Sequence, residues 1–186
     1  MTHVKVCGLS TTEQVDWAIE LGYDAIGVVV TPRSKRFCPP ATALPIARHA
    51  KGKIETFAVA YSMEEIGELY GHFDTIQLYT PAAIDNLAYS SCTPPPDTLK
   101  CKYFFYDASV GSGVYEAIPS WVNSVRHRLY IAGGLNKDNV SEVISTFHPF
   151  GVDVSSAVET STLIKCKTKM ARFIAAVRDL DKGSES

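Results

Sequence analysis

The side chains best suited to chemistry sit where short apolar runs stop. Cys7 ends the run that begins at Val4, just before Gly8. A thiol there is small and polarisable, and it exchanges a proton near neutral pH if its surroundings favour the thiolate. A buried structural cysteine is the plainer alternative. Asp107 ends a run of four aromatics, Tyr103 to Tyr106. A carboxyl group at an apolar strand end suits a general acid, although a lone aspartate also makes Asx-turns and helix caps. Arg36 lies in a loop with two further cations, Arg33 and Lys35. Its planar guanidinium is a natural partner for a carboxylate, and a solvated charge is the competing reading.

A second group of residues suits an anion. The run Leu129 to Ala132 stops at Gly133 and Gly134, and the run Val152 to Val154 stops at Ser155 and Ser156. Glycine lets a ligand approach the backbone closely, and N–H groups in such turns attract a phosphate. Each pair alone reads more simply as a tight turn or a cap. Together, at two strand ends, they point to an anion site. Gly111, Ser112 and Gly113 follow Asp107 closely and could extend it, or form a hinge. Gln77, near the end of another apolar run, could meet a ligand or fill the interior. Asp153 reads as a structural or ligand-orienting group.

The elements that must carry these residues alternate. Strands are expected at 4–7, 25–30, 54–60, 75–78, 103–107, 129–132 and 152–154, with a short fifth strand at 87–90. Helices are expected from Thr11 or Thr12 to Leu21, and over 41–50, 63–70, 136–147 and 165–180. A short helix broken near Pro119 is expected over 115–122. Ala25 to Val30 is continuously apolar, as in a parallel strand covered on both faces. The rhythm fails between Tyr79 and Lys102. Pro81 to Ile84 allows one helical turn, and the prolines from Pro94 to Pro96 exclude a helix interior, so a fifth helix is missing or vestigial. The pattern predicts an α/β fold: a (β/α)8 TIM barrel trimmed around strand 5. One domain over 1–180 and a flexible tail over 181–186 follow. An open doubly wound sheet is the alternative, and the lack of an early Gly-rich fingerprint counts against it. In barrels the reactive groups lie at the C-terminal strand ends, with a frequent phosphate site after strands seven and eight.

Composition narrows the function. The 186 residues are 46% hydrophobic and carry a net charge of −2, which gives a real core but no basic surface for nucleic acid or an acidic membrane. No apolar run reaches membrane-spanning length. Five scattered cysteines and a start that reads as a strand argue for reduced thiols in a cytoplasm. No cysteine pair has metal-ligand spacing, so no metal is expected.

Taken together, the motifs resemble the phosphoribosylanthranilate isomerase family over nearly the whole chain. The resemblance is carried by Lys5-Val6-Cys7-Gly8-Leu9, the segment from Gly22 to Phe37, Ile76-Gln77-Leu78, Asp107 with Gly111-Ser112-Gly113, Ala132 to Asn136, and Val152 to Ser156 with Val158-Glu159. It implies an Amadori rearrangement in tryptophan biosynthesis that needs no cofactor. Asp107 would be the general acid that opens the ribose ring, and Cys7 the base that removes the C2 proton. Arg36 would hold the anthranilate carboxylate. Gly133, Gly134, Ser155 and Ser156, with Gly111 to Gly113, would hold the phosphate. The expected partner is a phosphorylated small molecule, and the protein a monomer or homodimer.

The chain also departs from the family pattern. Tyr79-Thr80 stands where His-Gly is usual, Val110 and Ala157 replace glycines, Thr162-Leu163 replaces Pro-Gly, and Cys166 replaces an acidic residue. The segment between strands four and six is about twenty residues short. A phosphosugar-binding relative without turnover, or an isomerase of another phosphorylated sugar, are the competing functions.

Overall fold

A computed structural model of the protein describes residues 1–108, 117–125 and 127–183. Eight parallel strands follow one another around a closed barrel: β1 (His3–Cys7), β2 (Ala25–Val29), β3 (Glu55–Ala60), β4 (Thr75–Leu78), β5 (Leu87–Ser91), β6 (Tyr103–Asp107), β7 (Arg128–Ala132) and β8 (Gly151–Val154). The barrel closes where β8 pairs with β1, with Val4 opposite Val152 and Lys5 opposite Asp153. The helices α1 (Thr12–Glu20), α2 (Pro40–Ala50), α3 (Met63–Ile66), α4 (Val140–Phe147) and α5 (Lys167–Gly183) connect or follow the strands. The fold is a (β/α)8 barrel, and among the described residues no helix lies between β5 and β6. Among the described residues, no helix is long and apolar enough to cross a membrane.

The strands form where the runs predict them because both faces are covered. All five residues of β2 are buried. One face packs under the helices, as with Val28, Ala43 and Ile46 in the larger core, and the other fills the barrel with Phe57, Tyr103, Phe105 and Tyr130. The Phe105 and Tyr130 rings stack at 4.3 Å between centroids. The interior is packed below and opens at the ends of the strands.

Several local expectations give way. Pro81–Ile84 forms no helical turn: one isolated turn has too few hydrogen bonds to offset its nucleation cost. α3 ends at Ile66 and tightens into a 3-10 turn at Gly67–Leu69, with Gly67 in the left-handed region at φ 47. α4 begins at Val140, four residues later than its apolar spacing suggests. The Asn136 carboxamide instead accepts from the N–H groups of Asp138 and Asn139, a local bond that competes with helix. Of the helix expected over 115–122, residues 117–119 are not helical and Ser120–Ser124 form a 3-10 turn behind Pro119; the rest lies outside the described residues. The last helix starts at Lys167, because a small antiparallel hairpin, β9 (Glu159–Ser161) and β10 (Ile164–Lys165), precedes it.

Candidate active site

A cavity of about 530 Å³ opens at the C-terminal ends of the strands. Cys7 at the end of β1 and Asp107 at the end of β6 both line it. So do Arg36 from the loop after β2, Gly133 and Gly134 after β7, and Ser155 and Ser156 after β8. Gly111, Ser112 and Gly113 lie outside the described residues.

Cys7 is nearly buried, and three features of the barrel fix its surroundings. Its register partner is Gly27 on β2. A Cβ on that glycine would sit 2.8 Å from Cys7 Sγ and 3.0 Å from Lys5 Nζ, so the missing side chain makes room for both. Lys5 lies two residues before Cys7 on the same face. It is wholly buried, and its Nζ donates to Asp153 Oδ1 at 3.0 Å. The ammonium is also flanked by the rings of Phe57 and Phe105, at 5.3 and 5.2 Å from their centroids. Burial pushes the Cys7 thiol up, and the Lys5 charge opposes that push. Burial would also strip Lys5 of its proton, but Asp153 and Cys7 outweigh it and hold the lysine above its ordinary value.

Asp107 accepts a hydrogen bond at Oδ2 from the Tyr79 hydroxyl, at 2.8 Å. Burial, and then the neighbouring carboxylate, hold the Tyr79 phenol well above its ordinary value, so it remains a donor. On the next wall, Gln77 Nε2 donates to Ser90 Oγ at 2.9 Å. Gln77 Oε1 is buried and has no hydrogen-bond partner among the described residues. An unmet acceptor of this kind costs about 1–3 kcal/mol.

Arg36 is almost buried and already paired. Its Nε and Nη2 donate to the two carboxylate oxygens of Glu159, at 2.9 and 2.7 Å. Lys165 Nζ donates to the same carboxylate at 2.8 Å and to the Ser155 carbonyl at 3.1 Å. Two cations thus share one anion beneath the rim. Burial works against the Glu159 charge, yet the bonds from Arg36 and Lys165 keep its pKa below the ordinary value. Burial lowers the Lys165 pKa, and Glu159 only partly compensates. Ser155 Oγ donates to the Cys7 carbonyl at 3.0 Å, which ties the end of β8 to the end of β1. Gly133 and Gly134 both adopt positive φ, 90 and 70, a turn that side chains resist.

Sequence reasoning did not give Lys5, Tyr79, Glu159 or Lys165 a role. Strand alternation carries a signal for two of them: Lys5 shares a face with Cys7, and Tyr79 with Gln77. The hairpin that delivers Glu159 and Lys165 has too short a pattern to read. Among the described residues, no three His, Cys, Asp or Glu side chains are grouped so as to hold a metal ion.

Known proteins resemble this chain in sequence and in fold. Residues 96–176 match the family model described as N-(5'phosphoribosyl)anthranilate (PRA) isomerase. The N-(5'-phosphoribosyl)anthranilate isomerase of Streptococcus pneumoniae is 33% identical over 195 residues, covering 96% of each chain. The crystal structure of TrpF from Jonesia denitrificans superposes with a TM-score of 0.81 at 26% identity, over 97% of this chain and 98% of that one. A phosphoribosyl anthranilate isomerase in complex with reduced 1-(o-carboxyphenylamino)-1-deoxyribulose 5-phosphate has the same fold, with a TM-score of 0.78 at 23% identity over 96% of this chain and all of that one. With a third of its residues shared over almost its full length, and with its strands closing the same barrel, this chain belongs to the N-(5'-phosphoribosyl)anthranilate isomerase family.

Proposed function

We propose that the protein converts N-(5'-phosphoribosyl)anthranilate to 1-(2-carboxyphenylamino)-1-deoxyribulose 5-phosphate, the aminoaldose-to-aminoketose step of tryptophan biosynthesis. The observation that carries this reading is that a thiol and a carboxyl group from strands on different sides of the barrel open into one cavity.

Asp107 protonates the ribose ring oxygen, and the bond from that oxygen to C1 breaks. The anthranilate nitrogen supplies the electron pair, so C1 becomes a Schiff base carbon. That cationic imine acidifies C2, and the Cys7 thiolate removes the C2 proton. The electron pair left on C2 forms the C1–C2 double bond of an enolamine. Loss of the 2-hydroxyl proton and protonation at C1 then give the ketone, with no net change in protons. General acid–base steps of this kind each contribute about 10²–10⁴-fold.

The remaining residues support these two. Lys5 stabilises the Cys7 thiolate against burial, and Asp153 keeps Lys5 charged and in place. Glu159 occupies the Nε–Nη2 edge of the Arg36 guanidinium, which leaves the Nη1–Nη2 edge for the anthranilate carboxylate. Gln77 Oε1 accepts from a sugar hydroxyl. Gly133, Gly134, Ser155 and Ser156 receive the phosphate. The five free cysteines fit the reducing cytoplasm in which such a pathway runs.

The test is direct. Purified protein mixed with freshly generated phosphoribosylanthranilate abolishes its fluorescence, and the gene restores growth without tryptophan to an isomerase-deficient auxotroph. Unchanged fluorescence together with failed rescue defeats the proposal.

A further inference from the structure

The Tyr79 hydroxyl donates to Oδ2 of the proposed acid Asp107 at 2.8 Å, and the tyrosine is held there by contacts of its own. Its ring stacks on Tyr61, with centroids 6.3 Å apart and planes at 15°. Its backbone N–H and that of Thr80 both donate to the Tyr61 carbonyl, at 3.2 and 3.1 Å. The Arg33 guanidinium lies 4.2 Å from the Tyr61 ring centroid. The turns after β3 and β4 are therefore clamped together, and the phenol has little freedom to point elsewhere.

We infer that Tyr79 is a positioning residue for Asp107: its hydroxyl helps to orient the carboxyl group and stabilises the carboxylate that forms as the ribose ring opens. The physical case has two parts. The terminal torsion of an aspartate is broad and two-fold, so a hydrogen bond to one of its oxygens narrows its orientations. A phenol donating to Oδ2 holds that oxygen as an acceptor. When the proton leaves, the same bond becomes charge-assisted and roughly twice as strong. An interaction that strengthens along the reaction lowers the barrier without tightening substrate binding. Tyr79 neither gives up nor takes a proton in this role, so the proton balance of the reaction is unchanged.

This inference rests on the isomerase reading. The experiment compares wild type and Tyr79→Phe in single turnovers with phosphoribosylanthranilate under excess enzyme. The expected result is a rate constant lower by about 10- to 100-fold, with half-saturation within about twofold and an unchanged melting temperature. A Tyr79→Phe rate equal to wild type overturns the inference, and so does a loss that appears only in half-saturation. If Tyr79→Phe does not fold, 3,5-difluorotyrosine at position 79 keeps the ring and makes the hydroxyl a stronger acid. The rate should then fall as that hydroxyl ionises, at a pH where wild type shows no such fall; a profile matching wild type overturns the inference. Wild type without turnover overturns the isomerase reading as well, whereas an active wild type with an unaffected variant overturns this one alone.

Discussion

Lys5 and Asp153 face each other across the seam that closes the barrel, as register partners of β1 and β8, and their side chains meet at 3.0 Å with the lysine fully buried. A buried charge pair of this kind adds little net stability. Its value here lies in where it holds a positive charge, beside the Cys7 thiol. Lys5→Met removes the group that opposes the upward push of burial on Cys7. Less thiolate then exists at any given pH. The ascending limb of kcat/KM should move to higher pH, and alkylation of the Cys7 peptide by iodoacetamide, followed by mass spectrometry, should slow at pH 7.5. Equal alkylation rates would exclude Lys5 as the counter-charge.

Gly27 is the floor on which Cys7 and Lys5 rest. A methyl group there would sit 2.8 Å from Cys7 Sγ, which is too close for any real contact. Gly27→Ala should displace the thiol, and a shift of about 1 Å near reacting atoms costs on the order of 100-fold in rate. Steady-state kinetics should show this mainly in kcat.

Glu159 holds two cations, Arg36 and Lys165. Glu159→Gln leaves both without their counter-ion, and breaking a buried pair costs about 3–5 kcal/mol. The folded-state pKa of Glu159 lies below its ordinary value. Its contribution is therefore complete above the unfolded-state pKa and is lost as pH falls through the folded-state one. Urea titrations should show a large gap between wild type and Glu159→Gln at pH 7, shrinking in acid. A gap that stays constant down to pH 3 would show that ionisation of Glu159 is not its source.

Gln77 Oε1 is buried with no partner among the described residues. If a sugar hydroxyl supplies that partner, Gln77→Met removes a substrate contact while relieving an unmet acceptor. Half-saturation should rise by about 5- to 20-fold, while the melting temperature should not fall by more than a few degrees. A lower melting temperature with unchanged half-saturation would make Gln77 a structural residue.

Much of this architecture can be read from the chain because its barrel strands are covered on both faces. Ala25–Val29 and Tyr103–Asp107 are buried throughout; the first reads as an unbroken apolar run and the second as four aromatics ended by Asp107. The trimmed middle is legible for the opposite reason: the prolines from Pro94 to Pro96 admit no helix. Legibility fails where side chains compete with the backbone. Asn136 captures two N–H groups and delays α4 by four residues. It fails again at β9 and β10, whose three and two residues carry too little pattern. At the site, the ends of strands named Cys7, Asp107 and the Gly and Ser pairs, and the cavity brings them together. For Lys5 and Tyr79, alternation places each on the face of a site residue, but their chemistry, a counter-charge beside a thiol and a donor to a carboxyl, depends on neighbours from other strands that the sequence does not show.

The central claim is that Cys7 and Asp107 act as base and acid on one bound pentose. It is tested most directly by following phosphoribosylanthranilate fluorescence with wild type, Cys7→Ala and Asp107→Asn side by side, with circular dichroism to show that all three are folded. The account predicts rapid decay with wild type and a rate lower by about 10³-fold or more with each variant. Turnover by either folded variant within tenfold of wild type would contradict it.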